Sequence, residues 1–194
     1  MYAGPHVLPT PAPLPGWSES YCDVDRLAAL LLKGHPVVVL EGRAEIGPRA
    51  LGHRSLLAMP ESGMQDRLNQ IKGRELWRPV APVVLESEAH KYFKPGTPDP
   101  YMLFDHKTLP VVRAQLPAIL HMDGTARIQT VNAQQDPLMY TLLTHIKETG
   151  RPAVLCNTSA NLNGSGFFPS AAEAMRWGKV DYVWDEGTLY TKES

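Results

Sequence analysis

Cysteine is scarce in this sequence: Cys22 and Cys156 are the only two. Such a distant pair is neither a disulfide framework nor a zinc pattern, and both read as free thiols of a reducing, cytoplasmic protein. No two of the seven histidines stand three or four apart. No helix therefore offers a two-His metal face, and no protein-ligated metal is expected. The apolar runs at 27–32 and 37–40 are far too short to cross a bilayer, and no charged-then-apolar leader opens the chain. Charge is nearly balanced, 19 basic against 20 acidic side chains, which excludes a generally basic nucleic-acid binder but leaves room for a local basic site. Aromatic residues are few, at 8%.

Within 194 residues, 43% are hydrophobic and 20% charged, a composition too apolar for a disordered chain. A chain of this size buries roughly 70% of its extended surface, enough for a core without staples. Residues 1–20, with Pro5, Pro9, Pro11, Pro13 and Pro15, read as an extended arm ahead of one domain over 21–194. Leu27, Leu30 and Leu31 share a helix face that Gly34 ends. Strands are expected at 37–40, 55–58, 80–85, 118–121, 127–131 and 153–156, with a hairpin over 180–190. Pro82 demands an edge or a bulge. Helices are expected at 65–71, 137–149 and 171–177, the last opened by the Ser170/Glu173 capping spacing. Residues 94–100 form a proline-rich excursion. Alternating helices and strands make the class α/β or α+β.

Between Arg43 and Arg78 stand seven cations and four acids, a net +3 in a chain whose total is −1. Six of the seven are arginine, whose planar fork suits phosphate or carboxylate. Arg49 and Arg54 are bracketed by Gly47 and Gly52 just after an apolar strand. Glycine lets backbone approach a ligand closely. Lys72 and Arg78 flank Gly73 and Arg74 ahead of Pro79, at a helix-to-strand turn. Asn157, Thr158, Ser159 and Asn161, with Asn163 and Gly164, follow an apolar strand as a polar loop, where open α/β sheets bind ligands. A surface ion-pair face and a plain Asx turn remain alternative readings of these stretches. Arg127 follows the Asp123-Gly124 turn, and His121 reads as a core or edge histidine. Trp77, Trp177 and Trp184 read as core aromatics.

Taken together and in order, the segments 41–55 (Glu-Gly-Arg-Ala-Glu-Ile-Gly-Pro-Arg-Ala-Leu-Gly-His-Arg-Ser), 66–69, 71–74, 78–82, 122–131 (Met-Asp-Gly-Thr-Ala-Arg-Ile-Gln-Thr-Val) and 157–159 resemble the C-terminal domain of the NodU/TobZ-type O-carbamoyltransferases. The resemblance covers nearly the whole chain. It implies a YrdC-like fold, a twisted mixed α/β sheet flanked by helices with an open, positively charged cavity. The Ser159-Ala160-Asn161 segment is also similar to a motif of threonylcarbamoyladenylate synthases.

What the family implies is synthesis of carbamoyladenylate from carbamoyl phosphate and ATP, with Mg²⁺ arriving on the nucleotide. Lys72, Arg78, Arg127 and Ser159 are the expected catalytic cradle. Arg49, Arg54, Arg74, Asn157, Thr158 and Asn161 are the expected contacts to carbamoyl phosphate or ATP. In the family, a Kae1-like domain carries the carbamoyl group to its acceptor. The sequence starts at Met1 where the family's second domain starts, so a separate Kae1-like chain is the expected partner, with no membrane or nucleic acid. Two other readings stay open: a threonylcarbamoyladenylate-type synthase, and a non-catalytic nucleotide- or RNA-binding subunit.

Overall fold

A computed structural model describes residues 2–162 and 165–193. Two of the residues expected in the polar loop, Asn163 and Gly164, lie outside the described residues, as does Met1. The chain runs β1 (Trp17–Tyr21), α1 (Val24–Leu32), β2 (Val37–Leu40), β3 (Arg54–Ala58), α2 (Met64–Ile71), β4 (Ala81–Leu85), β5 (Phe93–Lys94), β6 (His106–Thr108), α3 (Pro110–Gln115), β7 (Thr125–Ala126), β8 (Gln129–Val131), α4 (Pro137–Glu148), β9 (Val154–Ser159), α5 (Ala171–Trp177), β10 (Tyr182–Asp185) and β11 (Thr188–Lys192).

Eight strands form one mixed sheet in the order β1-β11-β10-β2-β3-β9-β4-β8, and β5-β6-β7 form a smaller one. Strand side chains alternate between two apolar layers. Val37, Val39, Leu57, Leu155 and Trp184 meet α1 and α4 through Leu27, Leu31, Leu142 and Ile146. Val38, Leu40, Leu56, Cys156 and Val183 face the other side, where α2, α5 and the small sheet contribute Leu68, Met175 and Phe93. With both faces covered, Val37–Leu40 is fully buried, which is why it reads as a continuous apolar run. Cys22 and Cys156 are buried free thiols.

Helix ends follow their local chemistry. Asp23 accepts from the Arg26 N–H and Asp136 from the Met139 N–H, each at 2.9 Å, while Pro137 occupies the first turn of α4. Ser170 caps α5 through the Glu173 N–H, and Gly34, at φ +81°, follows the end of α1. The expected proline-rich arm lies along the body: Gly4 N–H donates to Ala44 O and Leu8 N–H to Pro169 O. Edge strand β1, paired with β11, runs through residue 20.

Three local expectations need correction. Residues 117–119 form a 3₁₀ turn rather than a strand, because Pro117 cannot donate to a ladder and the short apolar run has no period of its own. The strand expected at 127–131 is confined to β8, since Arg127 and Ile128 sit between the two sheets. The polar loop expected from Asn157 begins later, because Asn157, Thr158 and Ser159 pair with β3 as the end of β9. Pro82 sits beside the edge strand yet costs no hydrogen bond. Leu85 N–H donates to Ala153 O just ahead of β9, so by alternation the Pro82 nitrogen faces β8, whose pairing starts opposite Val83.

Candidate active site: a cationic cleft

The cleft is built where α2 ends and β9 emerges. Lys72 is the C-cap of α2, Gly73 turns the chain at φ +59°, and Arg74 to Arg78 lead into β4. Buried Asn69 holds this turn in shape. Its Oδ1 accepts from Arg74 Nε at 2.6 Å, and its Nδ2 donates to Leu76 O and Arg78 O at 2.8 and 2.9 Å. Lys72 Nζ donates to Ser159 O (2.8 Å), to Asn161 O (2.6 Å) and to Asn161 Oδ1. Ser159 Oγ donates to the same Oδ1 at 2.8 Å. One lysine thereby ties the helix end to the strand end.

Lys72, Gly73, Arg74, Glu75, Arg78, Ser159 and Asn161 surround a cavity of about 610 Å³. Burial, reinforced by the Arg74 charge, pushes the Lys72 ammonium down to about 8. Burial, then Arg78, lowers Arg74. Glu75 is held below the usual carboxylate range by its own backbone N–H and by Arg78, whose Nε meets it at 2.7 Å. Like charges crowded in a desolvated recess are relieved when an anion enters, and groups so perturbed in a cleft make it a functional-site candidate.

A smaller recess of about 130 Å³ adjoins, sharing Arg74 and Ser159 and adding Arg49, Asn157 and Thr158. A third, of about 340 Å³, shares Arg49 and adds Arg127. The structure thus brings Lys72, Arg74, Arg78, Ser159 and Asn161 together, with Arg49, Asn157 and Thr158 next to them. It does not bring Arg127 into the cradle with Lys72. Arg127 follows β7 of the small sheet, lines the third recess, and pairs with Asp105 at 3.6 Å.

Arg54, an expected ATP contact, is a correction. Its side chain is 1% exposed. Nη1 donates to Glu41 O and His53 O, both at 2.7 Å, and Nη2 to Gly42 O and Pro5 O at 3.0 and 3.3 Å. It faces carbonyls because β3 starts at this residue, and its guanidinium clamps the arm to the 41–42 turn. Trp77 also departs from expectation: it is 66% exposed, whereas Trp184 is buried and Trp177 packs half-buried against Phe168. Trp77 borders a groove of about 770 Å³ that Leu76 and Pro79 also line. That groove is mainly apolar, and Arg113 shares its lining with Asp66 and Asp123, so it lacks the converging cations of the cleft.

Reasoning from residue types gave no role to Asn69, Glu45 or Gln129. Glu45 Oε1 accepts from the N–H groups of Leu51, His53 and Arg54 at 2.6, 2.9 and 3.2 Å, shaping the glycine-bracketed loop. Gln129 Nε2 donates to Leu51 O at 2.6 Å. Asn69 alone left a trace, as a poor helix former inside a helix pattern.

The fold places the chain in a class. It superposes on full-length HypF in a phosphate- and nucleotide-bound form, with a TM-score of 0.57 at 17% identity over 91% of this chain and 22% of that one. It superposes equally, at 0.57, on Sua5 of P. abyssi, with 18% identity over 84% and 48% of the two chains. At these identities the likeness establishes a shared YrdC-like α/β fold and nothing more. Sequence goes further. The family model Carbamoyltransferase C-terminus matches residues 28–192, and the chain belongs to that family. It is 52% identical to nodulation protein U of Rhizobium tropici over 100% of this chain and 34% of that protein. It is 41% identical to the 3'-hydroxymethylcephem-O-carbamoyltransferase of Amycolatopsis lactamdurans over 86% and 32% of the two. The chain spans about a third of the length of these relatives. Among the described residues, no helix is long and apolar enough to cross a membrane.

Proposed function

We propose that this domain makes carbamoyladenylate from carbamoyl phosphate and ATP, as the activating half of an O-carbamoyl transfer. The observation that carries the proposal is the convergence of Lys72, Arg74 and Arg78 with Ser159 and Asn161 on one cavity. Membership of a carbamoyltransferase family supports a transferase.

Water splits carbamoyl phosphate into carbamate and orthophosphate. A carbamate oxygen then attacks the α-phosphorus of ATP, and the bond to the β-phosphate oxygen breaks, releasing pyrophosphate. Both steps move charge among anionic oxygens, so positioned cations and neutral donors serve better than a strong base. Lys72 supplies a buried point charge and keeps Ser159 and Asn161 in place. Arg78, at the rim, supplies the fork. Arg49 and Arg127 continue the cationic lining toward the third recess. Glu75, already engaged by Arg78, is the sole carboxylate among the described lining residues of the three recesses. That lining suits Mg²⁺ that arrives on the triphosphate rather than Mg²⁺ held by this chain. Transfer to the acceptor falls to a Kae1-like partner in a cytoplasmic setting.

The test is phosphorus NMR of the purified chain with Mg-ATP and carbamoyl phosphate. Pyrophosphate and orthophosphate growing together, and only with both substrates present, is the expected result. Their absence, also with a Kae1-like chain added, overturns the proposal. The Ser159-Ala160-Asn161 segment beneath Lys72 favours one second reading, a threonylcarbamoyladenylate-type synthase. Pyrophosphate release dependent on threonine and bicarbonate would select it.

A further inference from the structure

Two buried polar atoms at the cleft have no partner among the described residues, Arg74 Nη2 and Asn157 Oδ1. Native interiors pair the large majority of such atoms, so each calls for an explanation. Both residues line the 130 Å³ recess beside the main cavity. One atom is a donor and the other an acceptor.

The orientation of the Asn157 amide is dictated by its surroundings. Nδ2 donates to Ala50 O at 3.0 Å and to Gln129 Oε1 at 2.8 Å. A backbone carbonyl only accepts, so the nitrogen must face Ala50 and the oxygen must face away from it. Gln129 is fixed in the same manner, because its Nε2 donates to Leu51 O at 2.6 Å. Two consecutive carbonyls of the glycine-bracketed loop thus lock two side-chain amides in series. The end of the series is a bare acceptor on a residue that is 2% exposed. Arg74 Nε is committed to Asn69, which holds the guanidinium while Nη2 stays unmatched.

We infer that this pair reads the amide end of the acyl phosphate: Asn157 Oδ1 accepts from the carbamoyl NH₂ and Arg74 Nη2 donates to the carbamoyl oxygen, with Gln129 as the positioning residue that prevents Asn157 from flipping. The inference rests on the carbamoyl-phosphate reading and adds what selects the acyl group. A planar carbamoyl group carries one donor side and one acceptor side, and the recess is small enough to suit it. An acetyl group puts a methyl where the NH₂ belongs and leaves Oδ1 buried and unpaired. Sites built around a substrate N–H reject the analogue that lacks it far more strongly than an apolar pocket rejects a missing methylene.

The test uses two stable phosphonates that differ only at this position, phosphonoacetamide (NH₂) and phosphonoacetone (CH₃), titrated calorimetrically into the purified chain. The wild type is expected to bind the amide about 10-fold more tightly, as loss of one buried hydrogen bond would give. Asn157→Leu should reduce that ratio to about one. Gln129→Met should lower the ratio without altering the affinity for methylphosphonate, which lacks the acyl group. A wild type with no amide preference overturns the inference and needs no variant to do so. Asn157→Leu that folds and keeps the preference overturns it too, as does failure of both phosphonates to bind. Amide selectivity without pyrophosphate release would sink the adenylate reading and leave this inference standing. Pyrophosphate release without selectivity would do the reverse.

Discussion

Raising the pH through 8 probes Lys72 directly. Its ammonium lies at about 8 against an ordinary 10.5, because burial outweighs its bonds to the β9 end and Arg74 adds repulsion. That displacement means the folded environment disfavours the charged form by about 3 kcal/mol. An empty cleft at pH 7 therefore holds a largely charged lysine, whereas at pH 9 only about one-tenth of the molecules do. Because kcat/KM reports the free enzyme, it should fall about tenfold between pH 7 and 9. Bound phosphate stabilises the ammonium, so the limb in kcat should lie at higher pH. Pyrophosphate release measured across pH 6.5–9.5 gives both profiles. Lys72→Arg is the control that cancels ionisation of the substrates. Its guanidinium stays charged, so the alkaline limb should vanish even as the level drops, because a planar fork does not fit a pocket formed for an ammonium. A wild-type kcat/KM that stays flat to pH 9.5, or an identical limb in Lys72→Arg, would refute the assignment of Lys72 to the anion cradle.

Three further outcomes are expected. Arg78→Lys keeps the charge but loses the fork, and should cost more than tenfold in kcat/KM; near-wild-type turnover would remove the bidentate clamp from the mechanism. Arg54→Met leaves the carbonyls of Glu41, His53, Gly42 and Pro5 without their donor, and should destabilise the fold by about 3–5 kcal/mol, with a Tm lower by roughly 10 °C and an arm open to limited proteolysis; a melt within about 2 °C of wild type would show that the clamp is dispensable. Burial followed by neighbouring carboxylates pushes Glu41 up to about 7, and burial followed by Glu186 pushes Asp185 up to about 6, so the folded state binds more protons than the unfolded chain between about pH 4.5 and 7. Stability should therefore fall as pH rises through that window, and urea midpoints of Glu41→Gln should show a shallower slope; equal slopes would contradict the account.

A cationic cluster was readable in the residues alone because arginines and glycines crowd between 43 and 78. What that clustering could not separate was which arginines face a ligand. Arg54 and Arg74 look alike in a list of residues. One begins a buried strand and spends its donors on four backbone carbonyls, whereas the other follows a helix end and keeps a donor unmatched beside a cavity. Arg127 was placed in the cradle by resemblance, yet the small sheet carries it to a neighbouring recess. Trp77 passed for core because aromatic residues are usually buried, and only the turn after α2 sets it outside.

Local rules determined the caps at Asp23 and Ser170, the stop at Gly34, the buried run at 37–40 and the hairpin that ends the chain, since each depends on residues a few positions apart. The ordered motifs also carried the family and, through it, the YrdC-like class. Tertiary structure alone decided the rest. It brought Lys72 onto Ser159 and Asn161 across 87 and 89 positions, excused Pro82 by starting β8 one residue past it, and locked Asn157 through Gln129 against the carbonyls of residues 50 and 51. The reason is physical. Hydrogen bonds between distant segments depend on the relative placement of strands, which a local pattern of apolar and polar residues leaves open.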